Sequence, residues 1–159
     1  MTPKNFFTYL QTLLKGMVWT GTSNKVFGNN VYIVTDTPME LLSRAQNPTC
    51  YIMDMGAALD EEHPNLVEQG FSLMLFVENN NSAYGEGVMM SANRTINTSQ
   101  GAGLLDIEEE VITQLIKTIT LSSVKIDLLE KSKAKSSVIS GNRPNAHRTW
   151  SFNALLSLI

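Results

Sequence analysis

LVEQGFSLMLFVE, residues 66 to 78, is the stretch around which the remaining segments arrange themselves. In an extended chain Val67, Gln69, Phe71, Leu73, Leu75 and Val77 share one face, and Gly70, Ser72, Met74 and Phe76 share the other. A strand with apolar groups on both faces belongs inside a sheet that is covered, at least in part, on both sides. Burying a side chain such as Phe71 or Leu73 contributes about 1.5–3 kcal/mol. This one segment therefore supplies a large share of the stabilising burial.

Upstream, Thr2-Pro3 is a helix start, with a capping hydroxyl followed by proline at the first helical position. Phe6, Phe7, Leu10, Leu13, Leu14, Met17 and Val18 recur at helical spacing, which predicts a helix to about Trp19. Its other face offers only Lys4 and Lys15 as cations, too few for an anionic membrane surface, so the stripe is expected to lie on a sheet. Gly21 to Asn24 turns the chain. Lys25–Phe27 and Val31–Val34 read as strand material interrupted by a Gly28-Asn29-Asn30 turn. Thr37-Pro38 opens a short helix over Met39–Ala45 that Asn47-Pro48 ends. Thr49–Met53 (TCYIM) is a second strand, and Asp54–Pro64 a polar connection.

Downstream, Asn79–Gly103 is rich in Asn, Ser and Gly and lacks periodicity, so a long mobile loop is expected there. Leu104, Leu105, Ile107, Val111, Ile112, Leu115, Ile116 and Ile119 form a second amphipathic stripe within Leu104–Leu121. Asp106 and Glu108 to Glu110 crowd its first turns, where the helix dipole favours negative charge. Val124–Leu129 alternates as a strand, and Glu130–His147 reads as a polar connection. Thr149–Ile159 places Trp150, Phe152, Ala154, Leu156 and Leu158 on one face, a period of two. The expected fold is α+β: a single domain, a mixed and mostly antiparallel sheet, and two main helices packed on one face.

The chain has 159 residues, 43% of them hydrophobic, which suits one domain with a real core and excludes intrinsic disorder. Its formal net charge of −3 disfavours general nucleic-acid binding, which depends on neutralising phosphates. Cys50 is the only cysteine, so no intrachain disulfide forms; it stands in an apolar context and reads as a small buried residue. No continuous apolar segment resembles a signal peptide, and no run approaches the roughly 18 residues needed to cross a bilayer. A soluble protein, intracellular at synthesis, is expected.

Sites for chemistry are harder to find. Neither GxxxxGK[ST] nor GxGxxG occurs, nor a GxSxG elbow. The two histidines, His63 and His147, do not pair with Cys50 at zinc spacing. His63 after Asp60-Glu61-Glu62 reads as a solvated turn rather than a metal cluster. Glu108, Glu109 and Glu110 point apart on a helix, so they do not form an acid/base pair. Lys131, Lys133 and Lys135 are expected to guard a strand edge. No catalytic residue, metal or cofactor is assigned.

The order of these segments resembles the tail terminator proteins of long, non-contractile-tailed bacteriophages, the lambda-like group. The resemblance lies in the N-terminal helix ending near Trp19, the strand Val31-Tyr32-Ile33-Val34, and Pro48-Thr49-Cys50-Tyr51-Ile52. It continues through Gln69 to Leu75, the Gly101–Leu115 helix and the final Trp150–Leu158 strand. It covers most of the chain as a pattern of elements rather than a motif. The long Asn79–Gly103 and Glu130–His147 segments depart from shorter family members, and no residue role is carried over. The resemblance implies a virion protein without catalysis. It would form a ring of itself, typically a hexamer, on the head-proximal end of the tail. The ring would stop growth of the tail tube protein and meet a head-completion or neck protein, with no membrane and no direct nucleic-acid readout. A head-completion adaptor and a non-viral protein-binding module stay open beside it, as does an enzyme whose site the sequence does not mark. Within the long loop, Tyr84, Met89, Met90 and Arg94 are the candidate interface residues, since adaptable Met and aromatic Tyr suit a partner surface.

Overall fold

Leu66–Glu78 forms one uninterrupted strand, β3, hydrogen-bonded to a neighbour on each side. The computed structural model describes residues 1–35, 48–78, 89–90, 102–121, 125–131, 135–139 and 143–159. Side-chain detail covers these except 116–121, 125–131, 135–139 and 143–144. The expected short helix Met39–Ala45 lies outside the described residues, as does all of the Asn79–Gly103 loop except 89–90 and 102–103.

The elements run α1 (Pro3–Gly16), β1 (Val31–Val34), β2 (Thr49–Leu59), β3, α2 (Leu104–Leu121), β4 (Lys125–Lys131), β5 (Lys135–Ile139) and β6 (Arg143–Ser157). Six strands make one sheet in the order β1-β2-β3-β6-β4, with β5 also paired to β6. Only β1 and β2 are parallel; the other pairings are antiparallel. The chain thus folds as an α+β domain with a mixed, mostly antiparallel sheet.

Both helices cover the same face. From α1, Phe6, Phe7, Leu10 and Leu14 are buried; from α2, Leu104, Ile107, Val111 and Leu115 are. They share one core with Phe71, Leu73, Leu75 and Val77 of β3 and with Trp150, Phe152, Ala154 and Leu156 of β6. Phe71 stacks on Phe152 at 5.0 Å and meets Phe6 edge-on at 5.3 Å, which ties α1 to the two central strands. A second, smaller cluster fills the opposite face: Tyr51, Met53, Met74 and Phe76. That is the two-faced burial expected of residues 66–78.

Thr2 caps α1 as the sequence predicts, its hydroxyl accepting from the Asn5 amide at 3.3 Å. The helix stops at Gly16 rather than near Trp19. Met17 is extended, Val18 bridges Lys25, and the Trp19 amide donates to Asn24 O at 2.9 Å. A tight hairpin therefore competes successfully for the last residues of the stripe and buries Trp19. Lys25 contributes a single bridge rather than a strand. Its Nζ donates to Gly16 O at 3.0 Å, placing positive charge at the helix C-terminus.

Two connections expected to be irregular are strands. β2 continues past Met53 to Leu59 across a bulge between Asp54 and Ala57, where Gly56 takes φ +98°. Gly lacks the Cβ that penalises this region, and a bulge is its usual setting. Asp54–Leu59 is exposed throughout, so no alternation of apolar residues betrays it. Inside the bulge the buried Gln69 side chain places Nε2 2.9 Å from Asp54 Oδ1, 3.0 Å from Gly56 O and 2.8 Å from Gly70 O. Its two N–H groups are thus shared among three acceptors left over by the irregular ladder.

The second correction concerns Glu130–His147, which contains the end of β4, all of β5 and the start of β6. β6 runs six residues further upstream than the expected Thr149, to Arg143, so that Asn145–Arg148 can pair with Leu75–Glu78. Buried main-chain groups need partners whatever side chains they carry. β4 and β5 follow one another along the same side of β6.

Removing Thr149–Ile159 strips all the pairing partners that β6 gives β4 and those that it gives Leu66–Met74. Burial of Trp150, Phe152 and Leu156 contributes about 1.5–3 kcal/mol each, together comparable with a domain's net stability of about 5–15 kcal/mol. The truncated chain is expected to be insoluble or to show no cooperative melt by circular dichroism. A soluble product with an unchanged Tm would contradict the central place given to β6.

Candidate interaction surface

α2 presents four carboxylates in its first two turns, and the fold uses three of them in different ways. Asp106 turns back to accept from the Gly103 amide at 3.0 Å, closing the helix N-terminus. Glu108 reaches the sheet: Arg148 Nη1 donates to its two oxygens at 2.7 and 2.8 Å, and Trp150 Nε1 donates to Oε2 at 2.9 Å. Glu110 reaches the hairpin after α1, accepting from the Thr20 amide at 3.0 Å and the Thr20 hydroxyl at 2.9 Å. Gln114 donates to both Glu110 and Val18 O. Glu109 is exposed. The helix dipole accounts for Asp106, whereas Glu108 and Glu110 fasten α2 to β6 and to the Trp19 hairpin. Glu108 and Glu110 thus point to different elements. Asp106, Glu109 and Glu110, however, line one depression of about 280 Å³ with Trp19, Thr20 and Thr113, which the expectation that Glu108, Glu109 and Glu110 point apart did not foresee.

The acidic turn after β2 is a solvated structure of its own. Asp60 Oδ1 accepts from the amides of His63 at 2.8 Å and Glu62 at 2.9 Å, with His63 Nδ1 at 3.3 Å. The His63 amide, first among these, holds the Asp60 carboxyl below its usual range. Among the described residues no group of three or more His, Cys, Asp or Glu is placed to hold a metal ion. Cys50 is fully buried between β1 and β3, and burial pushes its thiol up, away from the nucleophilic thiolate.

The sheet face away from the helices carries a depression of about 440 Å³ lined by Thr35, Met53, Asp54, Met55, Ser72, Thr149 and Ser151. Its floor is polar but satisfied across the strands: Ser72 Oγ and Ser151 Oγ lie 3.0 Å apart. Methionines stand on its β2 side.

Four exposed apolar side chains lie at the β1–β2 end of the sheet. Tyr32 and Ile33 of β1 are each 43% exposed, and Met55 and Leu59 of β2 are 62% and 66% exposed. Tyr32 stacks on Tyr51 at 5.8 Å, so its ring is held against the sheet while part of it faces solvent. β1 covers β2 only from Cys50 to Met53, so among the described strands Asp54–Leu59 pairs with β3 alone. Sequence reasoning took Tyr32 and Ile33 as strand residues and Asp54–Leu59 as a connection, and it marked neither as a surface. The legible signal was apolar Met55 and Leu59 in a segment with no period to bury them.

Of the candidate interface residues, Tyr84 and Arg94 lie outside the described residues. Met89 and Met90 occupy helical positions but divide: Met89 packs against the main core, while Met90 is 59% exposed. The structure therefore assigns surface exposure to one of the pair. No helix among the described residues is long and apolar enough to cross a membrane. No family model and no curated protein matches this chain.

Two measurements check these assignments. Glu108→Ala is expected to destabilise by about 2–3 kcal/mol, because it leaves Arg148 and Trp150 without their charged acceptor; exposed Glu109→Ala should stay within about 0.5 kcal/mol. In a double-mutant cycle with Arg148→Met, the pair should cost clearly less than the sum of its parts, and strict additivity would refute the coupling. Likewise Met89→Ser should lower stability by about 1–2 kcal/mol through lost packing, while Met90→Ser leaves the Tm in place.

Proposed function

We propose that this chain is a tail terminator of a long, non-contractile-tailed bacteriophage. In this reading it is a structural subunit that forms a ring on the head-proximal end of the tail tube, halts tube growth and presents a surface for head joining. Its work is contact, not catalysis, and its place is the virion.

One observation carries the proposal: the sheet ends in two unlike edges. On one side stand short β1 and the outer half of β2, with Tyr32, Ile33, Met55 and Leu59 exposed. On the other stand β4 and β5, each paired to β6 alone among the described strands. Copies that associate through unlike surfaces join head to tail, and such contacts close into rings when the rotation closes. The α+β layout, with both helices on one face, agrees with the order of elements that carries the family resemblance. The many polar interactions of α2 go to fastening the fold, consistent with a rigid building block.

Tube assembly tests the proposal. Tail tube protein from the same genome, polymerised with and without this chain, is examined by electron microscopy and native mass spectrometry. The expected result is tubes that stop growing and carry a ring at one end, with a multimer of this chain released on dissociation. Tubes that grow unchanged, with no multimer formed on them, would overturn the assignment. So would a chain that binds the head-completion protein and ignores the tube, which is the behaviour of a neck adaptor.

A further inference from the structure

We propose that the outer half of β2, Asp54–Leu59, is the docking edge for β4 of a second copy, so that neighbouring subunits join their sheets strand to strand. The inference rests on the self-association in the preceding reading and names the surface through which it occurs.

The main chain supplies the first argument. The Asp60 amide donates to Leu66 O at 3.1 Å, so in the antiparallel ladder Asp60 and Ala58 direct their main-chain groups toward β3. Ala57 and Leu59 then direct theirs away from β3, into space that β1 does not reach. Every residue of the segment is exposed, and among the described strands β3 alone pairs with it, which leaves this edge for a new strand. Small side chains at Gly56, Ala57 and Ala58 leave room for a close approach, and exposed Met55 and Leu59 flank them with apolar surface. A long edge of this kind normally invites pairing unless it is protected.

Direction and charge select the occupant. Within one subunit β2 runs antiparallel to β3, β3 to β6 and β6 to β4, so β2 and β4 run in opposite directions. Copies related by rotation about an axis along the strands would therefore bring β2 and a neighbour's β4 together antiparallel. The open part of β2 spans Asp54–Leu59, and β4 has seven residues, so the two match in length. Acidic residues stand at both ends of the open segment, Asp54 before it bends and Asp60, Glu61 and Glu62 after it. Lysines stand at both ends of the partner, with Asp127 and Glu130 between them: Lys125 opens β4, Lys131 closes it, and Lys135 begins β5. In the antiparallel meeting, the acidic turn lies near the Lys125 end and Asp54 near the Lys131 and Lys135 end. Opposite charges at both ends favour the meeting of these two strands, and its antiparallel sense follows from the strand directions of the subunit.

Cysteine pairing tests the inference, helped by the native Cys50 being fully buried. Ala57→Cys is combined in turn with cysteine at each position from Lys125 to Lys131, and the full-length chain is oxidised free and on tail tubes. Some pairs are expected to give ladders of covalent multimers, whereas mixing the two single-cysteine chains should stop at dimers. Leu59→Pro removes an outward N–H and leaves the β3 ladder intact, since proline is tolerated on an open edge; it should keep the Tm while abolishing the multimer. Rings that form on tubes without any cross-link, and that survive Leu59→Pro, would overturn the edge assignment and leave the terminator reading standing. Cross-linked multimers that do not affect tubes would support the edge and overturn the terminator reading.

Discussion

Burial of both faces of β3 is the constraint from which the rest of the architecture follows. Once Phe71, Leu73, Leu75 and Val77 on one face and Met74 and Phe76 on the other are out of water, the strand's main chain is out of water too. Its amides and carbonyls then require partners along their length. β6 provides them from Leu66↔Ser157 to Glu78↔Asn145, and β2 from Thr49↔Phe76 to Leu59↔Val67. Both neighbours are longer than their own apolar patterns would make them, because their length is dictated by β3. The two helices then cover only one face, and the other is closed by the smaller cluster around Tyr51, Met53, Met74 and Phe76.

This constraint also separates what was legible in the sequence from what was not. Segments that earn their structure from periodic side-chain burial were legible: β3 to its exact ends, α1 with its Thr2 cap, Leu104–Leu121, and the core of β6. Segments whose structure comes from main-chain pairing imposed by a neighbour were not. Asp54–Leu59 contains Asp and Gly, both poor strand formers, and buries nothing, yet it pairs with Val67–Phe71. Lys135–Ile139 and Arg143–His147 likewise pair without an apolar alternation. The end of α1 was misplaced for a related reason. Met17 and Trp19 belong to its apolar stripe, but both are buried by the hairpin that replaces the last turn.

The carboxylates of α2 illustrate how one sequence feature conceals several roles. Read along the chain, Asp106 and Glu108 to Glu110 form an acidic cluster suited to a helix N-terminus. In three dimensions Asp106 caps, Glu108 binds Arg148 and Trp150, Glu110 holds Thr20, and Glu109 is exposed. Arg148 and Trp150 are 40 and 42 residues from Glu108, and Thr20 is 90 from Glu110, so no local pattern announces the pairs. Spacing did reveal that Glu108 and Glu110 diverge. It did not reveal that their divergence fixes the helix between β6 and the N-terminal hairpin.

The same logic bears on the surface. Met55 and Leu59 stand on a strand paired on one side among the described strands; each exposes apolar area, and the main chain between them offers a template for further pairing. Asp54–Leu59 contributes no buried side chain, and what it supplies to its own subunit is main-chain pairing for Val67–Phe71. The segment is kept in register with β3 by several devices: Gly56 at positive φ, the buried Gln69 amide bridging the bulge, and the Asp60 cap on the turn beyond. A buried glutamine whose amide nitrogen serves three acceptors beneath an exposed strand stabilises the strand's shape rather than the core's volume. Pairing with β3 accounts for one edge of this segment; under the proposed self-association its other edge, with Met55 and Leu59, is the one a neighbouring subunit covers.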